Sequence, residues 1–206
     1  MTADTTAGPR LGTGLMLAAA GAVAFSGKAI IVKLSYRYGV DAVAVIMLRM
    51  AFALPLFAAL AWWAGRGKPP LSWPDRARIA GLGFCGYYLS SFLDFLGLQY
   101  ISASLERLIL YLNPTLVLLL GVFAFGKKVV PRQLMAMGVS YAGILLVFGH
   151  ELSLEGAHVV LGAALVFACA VTYAIYLAYS GEIVRRIGSL RLTGLSTLVA
   201  CLLCIG

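Results

Sequence analysis

Six ionisable side chains lie inside long apolar stretches of this chain. They are Lys28, Lys33, Arg49, Asp94, Glu106 and Arg107. A charge at the centre of a bilayer costs at least ~2.5–3.5 kcal/mol on insertion scales, so an ionisable residue within a span is a functional candidate by default. Lys33 is set aside because its long side chain can reach a nearby interface. The other five predict an outer gate or anion-attracting vestibule, or a structural network of ion pairs; a gate made of ion pairs would satisfy both.

An uncharged polar set accompanies these charges within the apolar stretches. It comprises Tyr87, Tyr88, Tyr111, Asn113 and Tyr141, together with Pro114. Tyrosine offers an apolar face and one hydroxyl, which suits small amphipathic metabolites. Proline lacks the amide donor, so Pro114 and Pro55, both within apolar stretches, should each kink the helix and free a carbonyl. We predict a substrate cavity here, although each tyrosine alone could be a packed residue with a satisfied hydroxyl.

Composition excludes a water-soluble enzyme as the setting for these side chains. Of 206 residues, 62% are hydrophobic and only 12% are charged, against about 25% charged in an average soluble domain. The formal net charge is +8, and the basic residues concentrate in short connectors between apolar stretches. This distribution indicates membrane topology rather than a nucleic-acid-binding face.

Hydropathy predicts an all-α, polytopic helical membrane protein. A span needs about 20 mostly apolar residues. Six complete spans are predicted, at about 12–34, 41–63, 78–98, 103–125, 132–149 and 158–180. A seventh begins near Leu192 and is still apolar at Gly206, where the sequence stops.

The positive-inside rule predicts the orientation of these spans. Taking the N-terminus and the second, fourth and sixth connectors as one side assigns eleven basic residues to that side. They are Arg10, Arg66, Lys68, Arg76, Arg78, Lys127, Lys128, Arg132, Arg185, Arg186 and Arg191. The opposite connectors hold Arg37 alone. We therefore predict a multi-pass protein of the plasma or inner membrane, with a cytoplasmic tail over residues 1–11. In this orientation the five charges lie in the outer half of the membrane, and the tyrosine side chains lie near its midplane.

A resemblance to a known family enters at residues 94–149. Residues 94–107 read DFLGLQYISASLER, and LNPTL follows at 112–116, ahead of a basic turn and a glycine-bearing fifth helix with Gly138 and Gly143. This resembles the EamA-type domain of the drug/metabolite transporter superfamily. The resemblance implies ten helices in two inverted five-helix halves, with residues 12–149 as the first repeat and 157–206 as the truncated start of the second.

The resemblance implies a secondary, non-ATP transporter or exporter that binds small metabolites near the midplane between repeat halves. A membrane-embedded enzyme and a seven-helix receptor remain alternatives. His150 and His158 lack a second ligand at metal spacing, and no phosphate-binding Walker loop is present, so we expect no metal, no cofactor and no enzyme.

The expected partners follow from that function. They are the lipid bilayer and a small-molecule metabolite, with no nucleic acid. Against the family's ten helices, we expect this chain to be a fragment: poorly stable or dimeric alone, inactive as a monomer, and associating with a C-terminal segment or a second copy.

Overall fold

The computed structural model describes residues 11–126, 128–148 and 158–206, and within these ranges the regular structure is helical, without strands. The α-helices are α1 (Leu11–Ser26), α2 (Lys28–Arg37), α3 (Ala42–Gly65), α4 (Trp73–Gly83), α5 (Ser90–Leu98), α6 (Ala103–Leu110), α7 (Asn113–Phe125), α8 (Pro131–Phe148), α9 (Val159–Ile187) and α10 (Ser189–Ile205). A π-helical turn, Phe84–Leu89, joins α4 to α5. The predicted tail, apart from its last residue, Leu11, lies outside the described residues, as does His150.

Five helical segments within the described ranges are long and apolar enough to cross a membrane. They are Gly14–Arg37, Ala42–Gly65, Trp73–Leu98, Ala103–Phe125 and Val159–Ile187. Two further helices are not among these five segments: α8, with 18 residues, and α10, with 17 residues. The chain is therefore a polytopic helical membrane protein, while the count of six complete spans and a seventh stays a prediction.

Two of the predicted helix boundaries differ from the structure by more than the others. The third span starts at Trp73 rather than 78, because Ser72 precedes it as N-cap and its Oγ accepts the Asp75 amide at 3.4 Å. The sixth continues to Ile187 rather than 180, and Gly188 alone, at φ +89°, separates it from α10. The basic residues assigned to these two connectors mostly lie within helices instead. They are Arg76, Arg78, Arg185, Arg186 and Arg191.

Three of the long segments are interrupted within their length. The first breaks at Gly27, the third contains the π-helical turn, and the fourth breaks at residues 111–112, just before Pro114. The break before Pro114 follows the prediction, whereas Pro55 lies inside α3 without ending it. Such π-helical turns occur mostly as single insertions in α-helices and are frequent at functional sites.

Helix α9 lies at the centre of the packing and contacts α4 to α7 and α10. It packs closely against α5: a Cβ at Gly97 would lie 2.6 Å from Val166 Cγ2 and 2.9 Å from the Gly162 carbonyl oxygen. Only a residue without a side chain fits at such a distance. This contact fixes the position of α5, which carries Asp94.

Polar contacts bring distant connectors together at one end of the helices. The Lys68 ammonium donates to the Ile187 carbonyl at 3.3 Å, and Arg191 Nη2 donates to the Pro69 carbonyl at 3.1 Å. The second and sixth connectors therefore share an end, as the orientation prediction requires. Which face of the membrane this end occupies stays a prediction.

Candidate functional site: a charged cavity within the spans

Four of the charges predicted within the spans form one connected group. Lys28 Nζ contacts Asp94 Oδ2 and lies 3.1 Å from Glu106 Oε1. Arg107 Nε lies 3.3 Å from Glu106 Oε2. The Glu106 side chain is 0% exposed. We call Lys28, Asp94, Glu106 and Arg107 the intramembrane cluster.

Helix ends position the members of this cluster. Lys28 is the first residue of α2, directly after the break at Gly27. Ser102 caps α6 by accepting the Leu105 amide at 3.1 Å, which places Glu106 in the first turn. Carbonyls at a helix C-terminus lack intrahelical partners, and Arg107 Nη2 donates to those of Phe25 and Ser26, at the end of α1, at 3.0 and 3.3 Å. The cluster therefore ties α1, α2, α5 and α6 together.

Several buried oxygen atoms at this site have no hydrogen-bond partner among the described residues. They are Asp94 Oδ1, Asn113 Oδ1 and both carboxylate oxygens of Glu106. The Glu106 oxygens are within ion-pair distance of two cations but outside hydrogen-bond geometry. A buried acceptor without a partner costs about 1–3 kcal/mol. Of these residues, Asp94 and Asn113 line the cavity described below, and their oxygens can therefore accept a hydrogen bond from a ligand or a water.

Arg49 stands apart from the cluster. It donates from Nη2 to the Ser91 hydroxyl at 3.0 Å, and its guanidinium carbon lies 5.0 Å from the centre of the Phe95 ring. Among the described residues, no ion pair includes Arg49. Its side chain is exposed although it lies in the interior of α3.

A cavity of about 530 Å³ brings most of the predicted site residues together. This volume falls in the range of small-molecule binding sites. The predicted residues that line it are Lys28, Arg49, Tyr87, Asp94, Arg107, Tyr111 and Asn113. Its apolar wall includes Phe25, Leu110 and Tyr173. Glu106 does not line the cavity and lies behind Lys28 and Arg107.

The remaining predicted residues lie elsewhere. Pro114 and Tyr141 line a second cavity of about 740 Å³, which Tyr111 also borders. The Tyr141 hydroxyl contacts that of Thr115 and donates to the Tyr111 carbonyl at 3.4 Å. Tyr88 stacks on Phe84 with 5.6 Å between ring centres and lines neither cavity. The predicted substrate-cavity residues are therefore distributed between two cavities and a packing contact, and their common depth near the midplane stays a prediction.

Two tyrosines of α9 were not among the predicted site residues. Tyr173 lines the charged cavity, and the Tyr176 hydroxyl lies 3.1 Å from that of Tyr87. Gly86 makes this contact possible, because a Cβ there would lie 2.3 Å from the Tyr176 ring. The three-residue spacing of these tyrosines, which places both on one helix face, was the available signal.

Comparison with known proteins gives a family match, a similar protein and a solved structure of similar fold. The model of the EamA-like transporter family matches residues 12–149. The Bacillus subtilis (strain 168) protein named "Uncharacterized transporter YcbK" is 31% identical over 185 residues, which are 84% of this chain and 55% of that protein. The chain thus spans about half the length of this relative.

A solved structure described as "Crystal structure of protein" aligns with a TM-score of 0.63 and 22% identity. The alignment covers 89% of this chain and 66% of that one. At this identity the likeness concerns the fold alone.

Proposed function

The chain belongs to the EamA-like transporter family, and on that premise we propose that it carries the substrate cavity of a secondary transporter of small metabolites. Transport would be driven by gradients rather than by ATP. The substrate would bind near the bilayer midplane, between the helices that surround the cavity of about 530 Å³.

The observation that carries this proposal is the mixed lining of that cavity. Charged side chains from α2, α3, α5 and α6 meet aromatic rings and the Asn113 amide at one cavity within the spans. Ligand sites combine an apolar wall with a few convergent polar groups in this way. Secondary transporters place such sites where helices are interrupted, and here the breaks at Gly27 and before Pro114 border the lining.

The helix interruptions leave backbone carbonyls near the site without their usual intrahelical hydrogen bonds. Because proline has no amide hydrogen, Pro114 cannot donate to the Leu110 carbonyl, four residues earlier, and Leu110 lines the cavity. The break at Gly27 presents the last carbonyls of α1 to Arg107. Substrate would therefore meet side-chain charges and backbone acceptors together, and the intramembrane cluster would hold the surrounding helices in register.

The proposal extends to topology and partners. The N-terminus would be cytoplasmic and the protein would lie in the plasma or inner membrane, with the bilayer and a small metabolite as partners. The named relative is called a transporter, which favours this class over the membrane-embedded enzyme and the seven-helix receptor.

Transport by the protein in proteoliposomes tests the function. Vesicles preloaded with candidate unlabelled metabolites are mixed with the same labelled compounds, and counterflow is measured without ATP. We expect saturable exchange of at least one metabolite, which Asp94→Asn abolishes and Glu182→Gln, an exposed acid on α9, leaves unchanged. Exchange that requires ATP, or that Asp94→Asn does not alter, would contradict the proposal.

A further inference from the structure

We propose that Arg49 binds the carboxylate of an amphipathic organic anion in the charged cavity. This inference rests on the proposed function, since it names the class of metabolite that the same cavity takes. It starts from the difference between Arg49 and the other two cations of the lining.

The cations Lys28 and Arg107 are already engaged. Lys28 has two carboxylate partners, and Arg107 has Glu106 and two backbone carbonyls. Arg49 has the neutral Ser91 hydroxyl and the face of Phe95. A guanidinium has five N–H donors in a planar fork, so Arg49 keeps donors for a further acceptor. That fork matches a carboxylate in a two-bond geometry.

The charge of the site fits one negative charge on the ligand. Arg49 and the intramembrane cluster together contain three bases and two acids, which leaves one positive charge. A single carboxylate neutralises it, whereas a phosphate monoester carries about −1.5 to −2 at neutral pH. An uncompensated charge within a span is costly. The site therefore favours a monoanion.

The other residues that line the cavity indicate the chemistry of the rest of the ligand. The rings of Phe25, Tyr87 and Tyr173 line the cavity and offer an apolar surface. Among the described residues, Asn113 Oδ1 is buried without a hydrogen-bond partner, and it can accept from a hydroxyl or an amide N–H of the ligand. The ligand is thus a compact carboxylate with an apolar body and one donor group.

Two probes of the same shape test this assignment. 3-Phenyllactate carries a carboxylate, a hydroxyl and a phenyl ring, and 3-phenyllactamide replaces the carboxylate by a neutral amide. Binding of each to the protein in lipid nanodiscs is measured by titration calorimetry. We expect 3-phenyllactate to bind at least 10-fold more tightly than the amide. Arg49→Gln should remove that preference, and Arg49→Lys should retain part of it.

The matched control is Arg66→Gln, which removes the same charge at the other end of the same span. At 1.5 Å per residue, this position lies about 25 Å from Arg49. The control should leave both affinities unchanged. Equal binding of the two probes, or a preference that survives Arg49→Gln, would overturn the carboxylate site while leaving a metabolite cavity in place. Binding of neither probe would also overturn it, and counterflow would then judge the transport function separately. If Arg49→Gln does not fold, Arg49→Lys and the two probes on the unsubstituted protein still decide.

Discussion

Charged residues join distant parts of this chain at two places, and their surroundings differ. At one end of the helices, Lys68, Asp75, Arg186 and Arg191 form what we call the connector cluster. Both Asp75 oxygens bind Arg186, at 3.1 and 3.2 Å, and Oδ2 also accepts from the Ser72 hydroxyl at 2.7 Å. Lys68 and Arg191 donate to backbone carbonyls. The acceptors of this cluster are satisfied, and Arg186 is 52% exposed.

The intramembrane cluster differs from the connector cluster in the hydrogen bonding of its acids rather than in their burial, since the Asp75 side chain is only 8% exposed. Its acids are almost wholly enclosed, at 5% exposure for the Asp94 side chain and 0% for that of Glu106, yet they keep oxygens without hydrogen-bond partners. Three of its members line a cavity. We infer that the connector cluster stabilises the fold. The intramembrane cluster, which has acceptors without hydrogen-bond partners, belongs by the same inference to the substrate site.

The largest effect should follow removal of the Glu106 charge. Glu106→Gln leaves Lys28 and Arg107 without this carboxylate in a low-dielectric place, and breaking a buried ion pair costs about 3–5 kcal/mol. We expect a strongly lowered melting temperature of the purified protein in detergent, with Glu182→Gln as the unaffected control. Adding Lys28→Gln should make the total loss smaller than the sum of the two single losses. Additive losses would mean that the charges act separately.

The helix contact that positions the intramembrane cluster should be the next most sensitive. Gly97→Ala drives a methyl group into Val166 and the Gly162 carbonyl, and overpacking of this kind costs about 1–3 kcal/mol. Because α5 carries Asp94, we also expect reduced counterflow. Gly81→Ala, with open space around its Cβ position, should lose neither stability nor transport. If Gly97→Ala behaves like this control, the crossing does not position the site.

A substitution in the connector cluster should lower the stability less, and this loss should depend on the salt concentration. Asp75→Asn removes the pair with Arg186, whose exposed guanidinium is then solvated rather than stranded. The Asp75 side chain is buried but Arg186 is half exposed, so we expect a loss of about 1 kcal/mol that shrinks in 1 M salt because the exposed partner is screened. The Michaelis constant for counterflow should not change. Thermal unfolding of both proteins at low and high salt checks the first part, and a changed Michaelis constant would contradict a purely structural role.

The smallest stability effect should come from Arg49→Gln. This change removes one intramembrane charge, as Glu106→Gln does, but no carboxylate loses its pair. We expect about 0.5–1 kcal/mol, from the loss of the hydrogen bond to Ser91 and of the contact with the Phe95 ring. Thermal unfolding in detergent measures it. A loss as large as that of Glu106→Gln would place Arg49 within the structural network.

Hydropathy and charge predicted most of the helical architecture, because apolar length alone defines a span. They did not predict the start of the third span at Trp73, since Arg76 and Arg78 resemble connector residues until the Ser72 cap is known. The interruption before Pro114 had a visible cause, whereas the π-helical turn had none. Such a turn depends on how Gly86 packs against Tyr176 on another helix.

The site was predicted in its residue types more than in its arrangement. Burial cost alone selects charges within spans, so the members of the intramembrane cluster could be named from the sequence. The separation of Arg49 from the carboxylates, and of Tyr141 from the charged cavity, depends on the rotation of each helix. Helix rotation is set by close contacts such as that between Gly97 and Gly162, which sequence spacing does not determine.

Access of substrate to the charged cavity tests the central claim most directly. Ala22 lines the cavity and Ala24, on the same helix, does not. Each is replaced by cysteine in a cysteine-free background, and modification by a small methanethiosulfonate reagent is followed together with counterflow. We predict that modification of Ala22→Cys stops counterflow and is slowed by the transported substrate, while Ala24→Cys shows neither effect. Counterflow that continues after complete modification of Ala22→Cys, or a modification rate that substrate does not change, would contradict the claim that this cavity is the transport site.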